Sequence, residues 1–355
     1  MNSKIAALIM VAIVVIAGTA VYYVYSDDQK DSDTIEGNVT ITDSLGNEIT
    51  IEAPVNKICV TSSNAAEFLQ ILGVADRVTC IDTDTKELLA NIYGDARDIG
   101  KYNNPNGEIM LSENTKILIS QSSSRSLSTA AEEALESNYG ITVIRLDCYG
   151  ETMLRDIEQL ALLLGSKSVN DALEGYMDQY ESITEHVLSK VTPSESNFLF
   201  AFTSMKKYYN QNSELSKIVE SLGVTNYTRE LSSVGSGVST DIDSETIWDA
   251  DQSGGISYLF IRGLSNSTGQ TSYQSFLDNF EGSYDFRDLN VSDSGNTYVL
   301  ETDIMSGPRD FVGYVVLAEV LDIDTGLEES ALELANEFNE KYGFSEEYSW
   351  LAYQV

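Results

Sequence analysis

In KICVTSSNAAEFLQILG, Lys57 to Gly73, an apolar run (Ile58, Cys59, Val60) passes through Thr61, Ser62, Ser63 and Asn64 into a segment whose apolar residues, Ala65, Ala66, Phe68, Leu69 and Leu72, recur at helical spacing. A short unbroken apolar run reads as a strand buried on both faces, and the spacing after it as a helix with one buried side. The polar stretch at the handover has two readings. Ser and Asn are good helix caps, and short side chains at a helix N-terminus also let a ligand approach the backbone amides.

The same strand-to-helix rhythm extends in both directions. VTITDSLGNEITIEAP, Val39 to Pro54, is two alternating runs around a Gly-containing turn, hence a hairpin. Strands are predicted at Ile58–Thr61, Val78–Ile81, Ile117–Ser120 and Thr142–Leu146, with helices near Ala65–Leu72, Lys86–Ile92 and Leu127–Asn138 between them. Alternation of this kind predicts a mostly parallel sheet with helices on its faces. From Glu151 to Thr192 the periodicity is helical, with Gly165 and Ser166 as the one plausible break, and Thr192-Pro193 ends it. The rhythm then restarts, with strands at Phe198–Phe202, Tyr258–Ile261 and Thr297–Leu300. Helices are predicted near Leu215–Leu222, Ile242–Asp249, Ser275–Phe280, Asp310–Leu321 and Ser330–Tyr342. The predicted fold is α/β: two Rossmann-like lobes, residues 38–150 and 193–355, bridged by a long helical linker at 151–192.

A chain of 355 residues, 42% of them hydrophobic, has material for two cores. Asp and Glu outnumber Lys and Arg by 56 to 21, a formal charge of -35, so nucleic acid and anionic headgroups are poor partners. Ile5 to Val24 is uncharged and apolar for long enough to cross a bilayer as a helix. With Lys4 before it and Asp27, Asp28, Asp31 and Asp33 after it, residues 1–25 read as a single-pass anchor in the cell membrane, with the bulk of the chain extracytoplasmic. A cleaved signal segment is the competing reading. Residues 26–37 would be a flexible tether. Cys59, Cys80 and Cys148 are an odd number, and the first two fall in strand-like runs, which suits small buried hydrophobes better than redox or metal chemistry.

Ligands of open parallel sheets sit at the carboxyl ends of the strands. The residues just past the predicted strands are therefore the candidates: Ser63 and Asn64, Thr83, Gln121 and Tyr149 in the first lobe, and Lys206 and Tyr208, Arg262, Asp303 and Arg309 in the second.

The order of pieces resembles the iron-siderophore, haem and cobalamin (class III) substrate-binding proteins of ABC importers. The resemblance is carried by the hairpin with Asp43 and Gly46, Pro54-Val-Asn-Lys-Ile, Ser63-Asn-Ala-Ala-Glu67, Leu72-Gly73, Asn104-Pro-Asn-Gly-Glu108 ahead of Thr115-Lys-Ile-Leu-Ile, the helical linker, and Ser306-Gly-Pro-Arg309. It implies two lobes holding a metal chelate in the cleft between them, and an importer permease with its ATPase subunit as partners. It also implies docking through one Glu per lobe onto arginines of the permease, and the matching positions here are Glu108 and Glu245, each of which can equally be an ordinary surface carboxylate. Thr83 and Gln121 match places of ligand contact, and Asp303 to Arg309 a loop that closes over it. Arg309 precedes a helix and can equally serve its terminus. Lys206, Lys207 and Arg262 suit an anionic chelate in so acidic a chain. Tyr102, Tyr149, Tyr208, Tyr209 and Tyr273 can stack on a flat ligand or reach ferric iron.

The expected function is therefore capture of an iron(III) chelate, a siderophore, and its delivery to the permease, with a corrinoid (cobalamin) or haem as the alternative cargo. No resident cofactor is expected. A single histidine, His186, argues against direct capture of a soft divalent ion. It also argues against a Ser–His–Asp apparatus, since the helical pattern places it far from the strand ends. Gly235-Ser-Gly237 lacks the remainder of a nucleotide fingerprint. A surface sensor or adhesion protein reusing the fold is the reading of a different class, and an enzyme the last.

Overall fold

The computed structural model describes residues 36–203, 206–231, 234–263 and 286–355. The apolar segment at 1–25, most of the tether, Met205, Tyr273 and the helix expected at Ser275–Phe280 lie outside the described residues. Among the described residues no helix is long and apolar enough to cross a membrane. The chain divides into two compact units: one reaches Cys148 and includes Thr152–Tyr176, and the other comprises Tyr149–Glu151 and Met177–Val355.

The first unit opens with the hairpin. Strands β1 (Gly37–Thr42) and β2 (Glu48–Ala53) pair antiparallel with Val39 opposite Ile51 and Ile41 opposite Ile49. At its turn the Asp43 carboxylate accepts the N–H groups of Leu45 and Asn47, at 2.9 and 2.8 Å, and Gly46 adopts φ +84°, where a side chain would be strained. A five-stranded sheet comes next, formed by β3 (Ile58–Val60), β4 (Val78–Ile81), β5 (Arg97–Asp98), β6 (Ile117–Ser120) and β7 (Thr142–Arg145). Its order is β5-β4-β3-β6-β7 and every pairing is parallel. All of β3 is buried, as its unbroken apolar run requires.

Helices α1 (Ser63–Ile71), α2 (Thr83–Leu88), α3 (Gly107–Ser112) and α4 (Thr129–Tyr139) connect these strands. In α1 it is Ser62 that caps, accepting the Ala65 N–H at 3.4 Å, while Thr61 donates its N–H to the Ile119 carbonyl at 2.9 Å. The small polar residues at the handover thus terminate one element and start the next.

The helical stretch after β7 is two helices, α5 (Met153–Leu164) and α6 (Lys167–Lys190), not one linker. Gly165 ends α5 in the left-handed conformation, φ +56°. Helix α5 belongs to the first unit, where it packs on β1 and β2 and buries Ile157, Leu160, Ala161 and Leu164. Its Asp156 is fully buried and accepts from Ser44 Oγ, Thr152 Oγ1 and the N–H groups of Asp147 and Cys148. The division between the units falls within α6, after Tyr176.

The sheet of the second unit is mixed rather than mostly parallel. Strands β8 (Asn197–Ala201), β12 (Tyr258–Arg262) and β13 (Thr297–Leu300) run parallel, as does the short β10 (Thr225–Asn226) beside the start of β8. Antiparallel pairings flank them: β9 (Lys207–Tyr209) on β8 and then β11 (Ser239–Asp241) on β9 at one side, and β14 (Ala352–Gln354) on β13 at the other. Helices α7 (Glu214–Ser221), α8 (Ser244–Gln252), α9 (Asp310–Val320) and α10 (Ala331–Tyr342) complete it. The core brings together Leu199, Tyr208, Ile247, Leu259, Phe286 and Val299. All three cysteines are buried free thiols, and burial pushes those of Cys59 and Cys148 upward, so both stay protonated. The His186 ring donates from Nε2 to the Thr325 carbonyl at 2.7 Å.

Candidate ligand and docking sites

At the carboxyl edge of the first sheet the candidate side chains are engaged with one another. Ser63 and Asn64 are half-buried in the first turn of α1. Thr83 donates its hydroxyl to Asp98 Oδ1 at 2.9 Å, and Gln121 Oε1 accepts from Ser126 Oγ at 2.8 Å. Ser122 gives both its N–H and its hydroxyl to Asp147, each at 2.7 Å. Arg145, almost wholly buried, ties this edge together through the carbonyls of Gln121 and Leu127 and the Glu132 carboxylate at 2.6 Å. Tyr102 is exposed on the loop after β5, and Tyr149 is half-buried and belongs to the second unit.

The second sheet presents cations at the corresponding edge. Lys206, Lys207 and Arg262 are exposed, and Arg262 Nη1 lies 3.3 Å from the Tyr209 hydroxyl, to which it donates. Burial raises the Tyr209 pKa above its ordinary value, and the nearby Arg262 works against that rise. Asp303 is exposed and gives its N–H to Glu301 Oε1 at 3.2 Å.

Two expected contacts are core residues instead. Tyr208 has no exposed surface, because residues 207–209 form strand β9 rather than a loop after β8; the alternation of a hairpin is too short there to stand out in sequence. Arg309 is 3% exposed, donates from Nε to Asn339 Oδ1 at 2.7 Å, and lies over the Phe344 ring at 4.5 Å. Both serve the packing of the second unit in this conformation.

Glu301, absent from the strand-end candidates, is the unexpected member of the site. It comes directly after the last residue of β13, is 1% exposed, and has one carboxylate oxygen, Oε2, buried without a hydrogen-bond partner. Burial, with repulsion from Asp303 and Glu346, pushes its pKa to about 8, so at neutral pH this carboxyl is protonated. The signal in the sequence is an acidic residue placed directly after an apolar strand.

Glu108 and Glu245 occupy equivalent places in the two units. Strand β5 is an edge of the first sheet and runs parallel to its neighbours. Strand β11 is an edge of the second, antiparallel to β9 and therefore co-directional with β8. After each edge strand comes a helix capped by an Asx side chain. Asn106 Oδ1 accepts the N–H groups of Glu108 and Ile109, and Asp243 Oδ1 that of Thr246. In both helices the second residue is the exposed glutamate. Glu245 is thus matched to Glu108 by topology as well as by motif.

No family model matches the sequence, and no curated protein matches it. Solved structures do. The TroA-like periplasmic binding protein FepB of Veillonella parvula superposes with a TM-score of 0.67 at 15% identity, over 89% of this chain and 99% of that one. The molybdate-bound MolA of Haemophilus influenzae gives 0.61 at 12% identity, over 88% and 99%. The Ni(II)-bound CeuE of Helicobacter pylori gives 0.58 at 19% identity, over 86% and 94%. The chain has the fold of the TroA-like periplasmic solute-binding proteins, the fold that the sequence resemblance implies.

Proposed function

We propose that this chain is the extracytoplasmic substrate-binding component of an ABC importer, a binding protein rather than an enzyme, whose cargo is an anionic iron(III) chelate of the siderophore type. The observation that carries the proposal is the paired placement of Glu108 and Glu245 on a fold shared with solute-binding proteins: each unit offers one carboxylate, at the same point of its sheet, to a permease carrying cations. The ligand reading is supported by Arg262, Lys206 and Lys207 at the strand ends of a chain with net charge -35. Arg is suited to bidentate contact with carboxylate or catecholate-like oxygens. In this proposal Ile5 to Val24 holds the protein at the membrane.

The test is titration of the full-length chain in detergent with ferric siderophores, haem, cobalamin, Ni(II) and molybdate, followed by Tyr and Trp fluorescence. Binding of a ferric siderophore in the micromolar range or tighter is expected, about -8 kcal/mol. Arg262→Ala should weaken an anionic chelate about tenfold and a neutral one little. Tighter binding of haem or cobalamin would substitute the alternative cargo, and Ni(II) or molybdate alone would overturn the chelate assignment.

A further inference from the structure

The two docking glutamates have a second feature in common. Leu111 lies three residues after Glu108 on α3, and Trp248 three after Glu245 on α8, so each apolar side chain lies on the same helical face as its glutamate. The residue just before each, Met110 and Ile247, is completely buried and anchors the opposite face of its helix. Leu111 is 39% exposed and Trp248 45% exposed. Single exposed apolar residues are ordinary on protein surfaces. What sets these apart is recurrence: edge strand, Asx cap, glutamate, buried aliphatic residue, exposed large apolar residue, in that order, in two units whose sequences here otherwise differ.

We infer that Leu111 and Trp248 are the apolar anchors of the docking surface, and that the importer's membrane subunits bury each of them beside the cation that meets Glu108 or Glu245. This inference rests on the docking reading proposed above. An ion pair at a wet surface contributes little by itself. Two of them give orientation, and an attractive field toward a cationic partner, rather than a lasting complex. Buried aromatic and aliphatic side chains supply most of the affinity at interfaces, with Trp over-represented among the residues that matter. The occupant this surface fits is a protein that presents, twice, a guanidinium or ammonium group next to an apolar recess. The surrounding negative charge disfavours an anionic lipid surface.

The experiment measures association of the full-length chain with candidate ABC-importer permease–ATPase complexes from its own source, in lipid nanodiscs, together with stimulation of ATP hydrolysis and ligand affinity. Trp248→Ala should weaken association about thirtyfold and Leu111→Ala about fivefold, with ligand affinity unchanged and Trp248→Phe recovering most of the loss. Trp248→Lys, a polar change at an exposed position, gives the same reading if the alanine variant is poorly folded. Wild-type association of the Trp248 and Leu111 variants alongside weakened Glu108→Gln and Glu245→Gln would overturn this inference and leave the docking reading standing. Wild-type behaviour of the glutamate variants as well, or no stimulation by the unmodified chain, would overturn both.

Discussion

Asp82 in the first unit and Glu301 in the second are the same device in different electrostatic surroundings. Each comes directly after the last residue of a parallel strand, caps the helical turn beyond it, and leaves one carboxylate oxygen buried with no partner. Asp82 accepts the Thr85 N–H at 3.2 Å, and its pKa is raised by burial but drawn back by the Thr85 hydrogen bonds. Glu301 accepts the Asp303 N–H at the same 3.2 Å but has two neighbouring carboxylates, and its pKa reaches about 8. The comparison separates two kinds of strand end. In the first unit, Asp147, Asp98 and Gln121 are occupied by neighbouring side chains, so that edge is largely self-satisfied. In the second, a carboxyl neutral at pH 7 lies close to exposed Arg262 and Asp303, so its protonation changes the charge that a ligand would meet.

Removing the two carboxyls in turn gives the largest expected effect. Because the Glu301 pKa is raised above the unfolded value of 4.5, the folded chain keeps a proton that the unfolded chain has released between about pH 4.5 and 8. Stability contributed at this site is therefore full below that window and is lost as pH rises through it. Glu301→Gln should remove a fall of about 4 kcal/mol between pH 4 and pH 8, seen as a flatter pH dependence in urea unfolding. Asp82→Asn should flatten it less. The opposite order would break the comparison.

The buried arginines sharpen it. Arg145 in the first unit is held by two carbonyls and the Glu132 carboxylate, whereas Arg309 in the second lies against Asn339 and the rings of Phe338 and Phe344. Arg145→Ala strands those acceptors and should cost about 3 kcal/mol in urea unfolding. It should also loosen the loop at 121–127. A loss below about 1 kcal/mol would mean that the first edge is not held together by this side chain.

How much of this is legible in sequence depends on how each contact is made. The first lobe's strands stand out because Ile58-Cys-Val60 and Ile117-Leu-Ile119 are continuous apolar runs, which parallel pairing on two buried faces demands. Strands β5, β10 and β11 do not, since two or three residues at a sheet edge carry no period of their own. That hides the equivalence of Glu108 and Glu245, which is a fact of strand order. Tyr208 and Arg309 mislead for the same reason: a polar or amphipathic side chain next to a strand end looks alike in sequence whether it points to solvent or into an aromatic cluster. Glu301 escapes notice because its pKa comes from long-range burial, whereas Asn106 and Asp243 announce themselves locally as caps.

Those two caps provide the smallest test, and the one that discriminates most finely between the units. Asn106 does not titrate, and Asn106→Ala should cost about 1 kcal/mol at any pH. Asp243 does: the N–H and hydroxyl of Thr246, at 2.9 and 2.8 Å, hold its pKa below the ordinary 3.8. Its contribution is present above that value and is lost as pH falls through the depressed one. On acidification below about pH 4 the start of α8 should therefore fray while the start of α3 keeps its cap. Amide exchange at Thr246 and Ile109, corrected for intrinsic rates, reads the difference directly. Asp243→Asn should make α8 behave like α3, since an amide oxygen caps at any pH. If both helix starts open together in acid, the Asp243 carboxylate is not what holds the start of α8 and the contrast between the caps fails; if α8 opens alone, Glu245 is presented at low pH on a less secure turn than Glu108.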